Sequence, residues 1–209
     1  MFSRYFFIGK LISLCLINFY NMSNPISGFI LAGGKSRRMG TDKALLMFQD
    51  KPLLLHMIKL IEPFCDMVAI SGQNSEYESS GVKMVPDLYS DCGPIAGIYS
   101  ALKYSISDWN LLLSVDVPFV NDELLFFLIS NIGEYDCIIP KHTSGVEPLI
   151  GLYNRRAVPI IEEMLKSGDY RLTNLLSKIN TRYLDCNDLI KKYPRLFMNI
   201  NRKEDYLSI

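Results

Sequence analysis

The sequence predicts an α/β fold, and three observations lead to that prediction. From Ile26 onward, short apolar runs alternate with stretches in which apolar residues recur at helical spacing. A glycine pair closes the first apolar run, and Asp116 closes a later one, at the strand ends where open α/β sheets bind ligands. The chain has 209 residues, 49% hydrophobic and 21% charged, which is enough for one well-buried domain.

The individual elements follow from the period of the apolar residues and the breakers between them. Pro52 and Pro94 stand at the start of two helical stretches, where the missing N–H of proline costs nothing. No internal repeat or linker interrupts the pattern, so residues 22–209 are predicted to form a single domain. The predicted strands span residues 26–32, 67–71, 82–85, 110–115, 137–140, 146–153 and 181–184, and the predicted helices span 52–64, 93–104, 122–131, 156–166 and 172–179.

The first 21 residues differ from the rest. They are apolar and aromatic, with Arg4 and Lys10 as their only charges, and Lys10 splits the apolar run. About ten apolar residues remain, fewer than the roughly 20 that a membrane-spanning helix needs. The small-x-small cleavage site of a signal peptide does not follow this run, and Met22, a possible natural start, does. We therefore expect residues 1–21 to be a non-native or disordered extension. A membrane-surface or export segment is the alternative.

Composition excludes several classes of function. The formal net charge is zero, so the chain lacks the basic excess of a general nucleic-acid binder. The five cysteines are scattered and form no C-x-x-C pair, which argues against a disulfide framework or a zinc site and for reduced thiols in the cytoplasm. With two distant histidines, any metal is expected to be a hard ion on carboxylates.

The stretch FILAGGKSRRMGTDKALL, residues 29–46, carries the strongest signal for a ligand. Adjacent glycines after a strand let backbone N–H groups surround an anion. The spacing between Gly34 and Gly40 does not fit a P-loop, and Lys35 breaks a dinucleotide fingerprint. Nearby cations, with Arg38 and Lys43 among them, suit a triphosphate. A solvated basic turn is the alternative, but the glycines and the strand end favour phosphate binding.

Two further segments carry carboxylates. The apolar run of residues 111–115 ends at Asp116, which is well placed to hold Mg²⁺ together with phosphate oxygens. In PDLYSDCGPIAG, Asp87 and Asp91 precede a helix, and Gly97 leaves room beside it for a base or ribose. Each aspartate taken alone has a structural alternative, namely capping the turn or helix that follows it.

Together these motifs resemble the molybdenum cofactor guanylyltransferases, a branch of the nucleotidyltransferase superfamily. The resemblance covers nearly all of the chain after Met22, in the family's order and spacing. DKP stands where the family has GKP, DVP where it has DMP or DTP, and residues 71–74 where it has an asparagine. The segments that carry it are LAGGKSRRMGTDKALL, DKP, VPDLYSDCGPIAGIYSAL, LLLSVDVPFV, EPLIGLY and FMNINRKED.

The resemblance implies a three-layer α/β/α Rossmann-like nucleotidyltransferase fold with a mostly parallel mixed sheet. It implies transfer of GMP from GTP to molybdopterin, with Mg²⁺ as cofactor and pyrophosphate released. The residues it implicates are Leu31, Ala32 and Gly33 through backbone groups, Lys43 at the nucleotide phosphates, Asp87 at the nucleoside and Asp116 at the metal. Arg38 is expected to help Lys43 stabilise the leaving pyrophosphate.

Softer expectations concern the acceptor and the partners. Glu147, Pro148 and Arg171 are candidates for gripping the pterin, and Asn199 and Asn201 for anchoring a turn near the site. The family implies hand-over to apo-molybdoenzymes or their chaperones, with an accessory GTP-binding protein as a further partner, and neither nucleic acid nor membrane is expected. Two alternatives stay open: a related nucleotidyltransferase that uses CTP or another phosphorylated acceptor, and a non-catalytic nucleotide-binding module.

Overall fold

A computed structural model describes residues 25–33, 42–200 and 205 of the chain. The predictions for residues 1–21, for Arg38 and for Asn201 lie outside the described residues. Among the helices of the described ranges, none has the length and apolar character needed to cross a membrane.

The described strands form one large sheet and a separate two-stranded hairpin. The large sheet has the order β10-β7-β9-β6-β1-β4-β5, with β8 added beside β7, and β2 pairs with β3 in the hairpin. The strands are β1 (Ile26–Leu31), β2 (Met47–Phe48), β3 (Lys51–Pro52), β4 (Met67–Ser71), β5 (Lys83–Val85), β6 (Trp109–Ser114), β7 (Cys137–His142), β8 (Gly145–Val146), β9 (Ile150–Asn154) and β10 (Thr181–Asp185).

Most strand pairs in the large sheet are parallel, as predicted. Strand β1 pairs in parallel with both β4 and β6, and β9 runs antiparallel to its neighbours β6 and β7. The described α-helices are α1 (Leu53–Ile61), α2 (Pro94–Tyr104), α3 (Asp122–Ile129), α4 (Val158–Ser167), α5 (Leu172–Lys178) and α6 (Asn187–Lys192).

The sheet is the middle of three layers, because successive side chains of a strand point to opposite faces. In β1, Ile26 and Ile30 belong to the core that contains α1 and α3, whereas Phe29 and Leu31 belong to the core that contains α2, α4 and α5. The predicted three-layer α/β/α fold is therefore confirmed.

The prediction of one strand over residues 146–153 is wrong. Strand β8 ends at Val146 and β9 begins at Ile150, with a turn between them. The turn forms because Glu147 donates its N–H to the carbonyl of Pro140 and accepts a hydrogen bond from the N–H of Ile150, both at 3.0 Å. Pro148 within the turn has no N–H to give to a sheet ladder.

Two elements carried too short a pattern to be predicted. One is helix α6, and the other is the β2–β3 hairpin, whose turn residues Gln49 and Asp50 have φ values of 47° and 66°. Aspartate tolerates this left-handed region better than most residues do. The family's glycine is thus replaced by a residue that still permits the turn.

Candidate active site

The carboxyl ends of three adjacent parallel strands form the edge where the predicted residues meet. Leu31, the last residue of β1, lies in register between Ser71 of β4 and Ser114 of β6. The segments that follow these three strands therefore leave the sheet side by side, which is where open α/β sheets bind ligands. They carry Lys43 and Asp116.

The start of the glycine-rich segment is held to the neighbouring strand through its backbone. Ala32 and Gly33 both donate their N–H groups to the carbonyl of Ser71, at 3.0 and 3.1 Å, and the carbonyl of Leu31 accepts from the N–H of Val115 at 3.1 Å. These bonds fix the path of the chain as it enters residues 34–41. Contact of this backbone with a nucleotide stays a prediction.

Lys43 and Asp116 form the charged centre of this edge. The ammonium nitrogen of Lys43 lies 3.8 Å from Oδ2 of Asp116, and the two side chains are 19% and 22% exposed. The hydroxyl of Ser114 donates to Oδ1 of Asp116 at 2.6 Å, and the N–H of Ile200 donates to the Asp116 backbone carbonyl at 2.8 Å. Asp116 is therefore held from two sides, with one carboxylate oxygen directed at the cation.

Asp42 precedes Lys43 and has a different environment. It is the N-cap of a 3-10 turn (Lys43–Leu45), and its Oδ1 accepts the N–H of Ala44 at 3.0 Å. Its Oδ2 accepts hydrogen bonds from the amide of Asn74 at 2.8 Å and from the hydroxyl of Tyr77 at 2.6 Å. The sequence pattern does not indicate a role for Tyr77 or for residues 71–74, and the one signal it carries for Asp42 is that aspartate is a favoured N-cap residue.

Asp87 lies in the connection between β5 and α2, close to two glycines. A Cβ atom added at Gly33 would lie 3.7 Å from Oδ2 of Asp87, and one added at Gly97 would lie 3.7 Å from its Oδ1 and 3.0 Å from the hydroxyl of Ser71. The absence of a side chain at Gly33 and Gly97 thus lets both backbones lie close to this carboxylate, and room for a base or ribose beside Gly97 stays a prediction. Asp87 as a residue is exposed, but partial desolvation of the carboxylate raises its pKa. The N-cap of α2 is Gly93, so an aspartate cap is not observed there.

A second polar cluster lies across β9 from Asp116. Nε2 of His142 is 2.9 Å from a carboxylate oxygen of Glu147, and the His142 ring stacks on Phe197 with centroids 5.1 Å apart. Because the N–H of Ser144 donates to Nδ1 of His142, Nε2 carries the proton and donates to Glu147. The candidate acceptor residue Glu147 therefore has a structural partner.

The remaining residues suggested for acceptor binding or for a turn near the site are Pro148, Arg171 and Asn199, and their surroundings differ. Pro148 accepts a hydrogen bond from the hydroxyl of Tyr153 at 2.6 Å. Arg171 is the exposed N-cap residue of α5. Asn199 is exposed next to Ile200, whose bond to Asp116 places the C-terminal segment at the site.

The donor set at the edge fits Mg²⁺ better than a transition metal. In the described ranges, His, Cys, Asp and Glu form no group of three that would hold a metal ion by itself. The partly exposed carboxylate of Asp116 offers hard oxygen ligands, and Mg²⁺ is typically held by one or two carboxylates with substrate phosphates completing its shell. Asp116 is the described residue that would hold it.

A mostly parallel sheet with Gly33, Lys43 and Asp116 at its carboxyl edge has the architecture of an α/β protein that binds a ligand at that edge. Residues 28–183 match the model of the MobA-like NTP transferase domain, and the chain belongs to this family.

Named relatives agree with this assignment. The chain is 36% identical over 164 residues to a probable molybdenum cofactor guanylyltransferase of Flavobacterium johnsoniae, covering 78% of this chain and 86% of that protein. It is 34% identical over 184 residues to a molybdenum cofactor guanylyltransferase of Aliivibrio fischeri, covering 86% and 92%. Among solved structures, molybdopterin-guanine dinucleotide biosynthesis protein A from Archaeoglobus fulgidus superimposes with a TM-score of 0.74 at 27% identity, covering 87% and 95%.

Proposed function

We propose that this protein transfers GMP from GTP to molybdopterin and releases pyrophosphate, giving the guanine dinucleotide form of the molybdenum cofactor. The observation that carries the proposal is the Lys43–Asp116 pair at 3.8 Å, on the carboxyl edge of the sheet. The names of the relatives in Flavobacterium and Aliivibrio supply the acceptor and the base.

The chemistry asks for positioning and charge stabilisation from the protein. An oxygen of the acceptor's phosphate forms a bond to the α-phosphorus of GTP while the bond to the β-phosphate oxygen breaks, and the electron pair leaves with pyrophosphate. The nucleophile is already an ionised phosphate oxygen, so it needs no activating Ser, Cys or His. Lys43 neutralises charge that develops on the departing phosphates, and Arg38 is proposed to assist it.

Mg²⁺ is part of this proposal. When bound, it would supply positive charge to the phosphate oxygens of the nucleotide. Asp116 would hold it, and Ser114 keeps the carboxylate of Asp116 in place. Asp87, whose carboxylate lies close to Gly33 and Gly97, is proposed to contact the ribose or base.

The proposal also covers the setting of the reaction. The described cysteines, Cys65, Cys92, Cys137 and Cys186, are free thiols. We propose a cytoplasmic setting, where thiols are kept reduced. We propose that the product passes to apo-molybdoenzymes or their chaperones, with an accessory GTP-binding protein as a further partner.

The test is pyrophosphate release from GTP and, in parallel, from CTP, with Mg²⁺ and with or without molybdopterin. Release from GTP that requires the pterin supports the proposal. Preference for CTP would keep the chemistry and overturn the base assignment, and binding of GTP without release would favour the non-catalytic alternative.

A variant series makes the test specific to the site. Lys43→Ala is expected to lower kcat/KM by about 10²–10³-fold, the magnitude typical of removing one group that stabilises transition-state charge. Lys166→Ala is the matched control, because Lys166 pairs with Glu162 on the exposed face of α4. An unchanged rate in Lys43→Ala would remove this lysine from the mechanism.

A further inference from the structure

Two residues outside the glycine-rich segment converge on Asp42. Asn74 and Tyr77 belong to the connection between β4 and β5, and both donate hydrogen bonds to Oδ2 of Asp42, at 2.8 and 2.6 Å. With the N–H of Ala44 on Oδ1, the carboxylate accepts three hydrogen bonds from the protein. We call Asp42, Asn74 and Tyr77 the Asp42 anchor.

Tyr77 also contacts Ala32, which precedes the glycine pair. Its hydroxyl oxygen lies 3.3 Å from the backbone carbonyl of Ala32, in addition to its contact with Asp42. The phenol has a single proton, which goes mainly to the closer and charged acceptor, Asp42. One hydroxyl thus contacts both Ala32 and Asp42, the residues directly before and after residues 33–41.

The position of the Tyr77 ring makes this contact rigid. Tyr77 is 2% exposed and packs in the core cluster that contains α1 and β1. Displacement of the hydroxyl oxygen away from Asp42 would require the buried ring to move against this core. Burial and the neighbouring Asp42 carboxylate both raise the pKa of Tyr77, so the phenol stays protonated and remains a donor.

Lys43 takes its position from this anchor. Asp42 is the N-cap of the turn that Lys43 begins, so a fixed Asp42 sets where the Lys43 backbone starts. From there the Lys43 side chain reaches Asp116 on the neighbouring strand end. The two adjacent charged residues therefore have different roles. Asp42 is hydrogen-bonded to the protein interior, and Lys43 lies at the carboxyl edge of the sheet.

We propose that Tyr77 and Asn74 are positioning residues that act through Asp42 to hold Lys43 in the geometry that receives the nucleotide triphosphate. The proposal rests on the proposed function for the identity of the nucleotide. It assigns no contact between Tyr77 and substrate.

The test uses Tyr77→Phe, which removes the hydroxyl and keeps the ring. The matched control is Tyr99→Phe, another buried tyrosine, which packs on Tyr89 from the middle of α2. Loss of a hydrogen bond to a charged group typically corresponds to about a tenfold effect or more. We therefore expect about a tenfold rise in KM for GTP in Tyr77→Phe, with kcat/KM lowered at least as much, and less than about a twofold change in Tyr99→Phe.

A double-mutant cycle separates positioning from a general structural role. If Tyr77 acts through Lys43, adding Tyr77→Phe to Lys43→Ala should change kcat/KM by less than about twofold, since the residue it positions is gone. Additive losses in the double variant, or equal kinetics for Tyr77→Phe and Tyr99→Phe, would overturn the proposal. Should Tyr77→Phe fail to fold, Asp42→Asn replaces it in the same cycle.

The outcomes also distinguish this proposal from the proposed function. If the wild-type protein releases no pyrophosphate from GTP, the proposed function fails, and binding of GTP, CTP, ATP and UTP with Mg²⁺ is measured by calorimetry instead. Weaker binding by Tyr77→Phe than by Tyr99→Phe would then support the anchor. Equal binding, or no binding of any nucleotide, would overturn it.

Discussion

At the scale of single residues, neighbouring charges in this protein have separate tasks because their surroundings differ. Asp116 accepts a hydrogen bond from Ser114 and faces Lys43, so its carboxylate is oriented to interact with a cation. Asp87 lies close to Gly33 and Gly97, and partial desolvation raises the pKa of its carboxylate. An ionised carboxylate that is partly desolvated lowers the free energy of unfolding, and a bound ligand that interacts with it can offset this loss. Such destabilising groups are common at functional sites.

Asp87→Asn is expected to separate stability from binding. Because the folded-state pKa of Asp87 is raised above the unfolded value, its contribution to the free energy of unfolding is fully present below the unfolded pKa and is lost as pH rises through the folded pKa. The variant should thus be at least as stable as the wild type at neutral pH, with a smaller advantage near about pH 4. Its KM for GTP should rise about tenfold.

The measurement is the urea midpoint at both pH values, together with the kinetics. Asp188→Asn is the control, because hydrogen bonding to Lys191 lowers the pKa of Asp188, the opposite direction. A clear loss of stability in Asp87→Asn at neutral pH would show that Asp87 has a structural role that its surroundings do not reveal.

At the scale of elements, the site depends on how closely α1 and the turn after it pack on β1. Gly28, in the middle of β1, faces α1 and the turn after it. A Cβ atom at Gly28 would be 2.7 Å from Cδ1 of Ile61 and 2.8 Å from Sγ of Cys65. Both neighbours belong to the segment that returns the chain to β4. The glycine therefore sets the distance between the helix layer and the strand that leads into the site.

Gly28→Ala is expected to destabilise the fold by about 1–3 kcal/mol, since an added methyl group in a tightly packed core forces its neighbours to move. Gly133→Ala is the control, because a Cβ at Gly133 would meet Tyr135 at 3.5 Å, an ordinary contact. Equilibrium urea unfolding of both variants measures the difference. Equal stability of the two would show that Ile61 and Cys65 move aside at little cost.

At the scale of the whole molecule, the site joins segments that are far apart in the chain. Asp42 is bound by Asn74 and Tyr77, and Asp116 accepts a backbone hydrogen bond from Ile200. A nucleotide seated at this edge would bridge several strand ends and stabilise the folded state as one unit.

GTP with Mg²⁺ is therefore expected to raise the Tm. At about 100 times its Kd, a ligand that binds the folded state alone stabilises it by about 2.7 kcal/mol. For a domain of this size, that corresponds to roughly 5–10 °C. A thermal-shift series with GTP and with CTP at equal concentration measures the effect, and Lys43→Ala should reduce it. An equal or larger shift with CTP would contradict the assignment of guanine.

Local pattern accounts for most of the elements, and its errors have physical causes. The strand over residues 67–71 is confirmed with the same bounds, because a short apolar run between breakers has one interpretation. The strand predicted over 146–153 is wrong, because the turn at Glu147 depends on a hydrogen bond to Pro140, which lies on another strand. A pattern in one segment carries no information about such a partner.

The sequence by itself determined the fold class, most of the strands and helices, the family, and the charged residues Lys43, Asp87 and Asp116 as candidates, because periodicity and motif spacing are local properties of the chain. Tertiary structure alone decided which donors meet Asp42 and how Lys43 comes within 3.8 Å of Asp116. Those contacts join residues 32 to 73 positions apart, and only the parallel arrangement of β1, β4 and β6 brings their strand ends together.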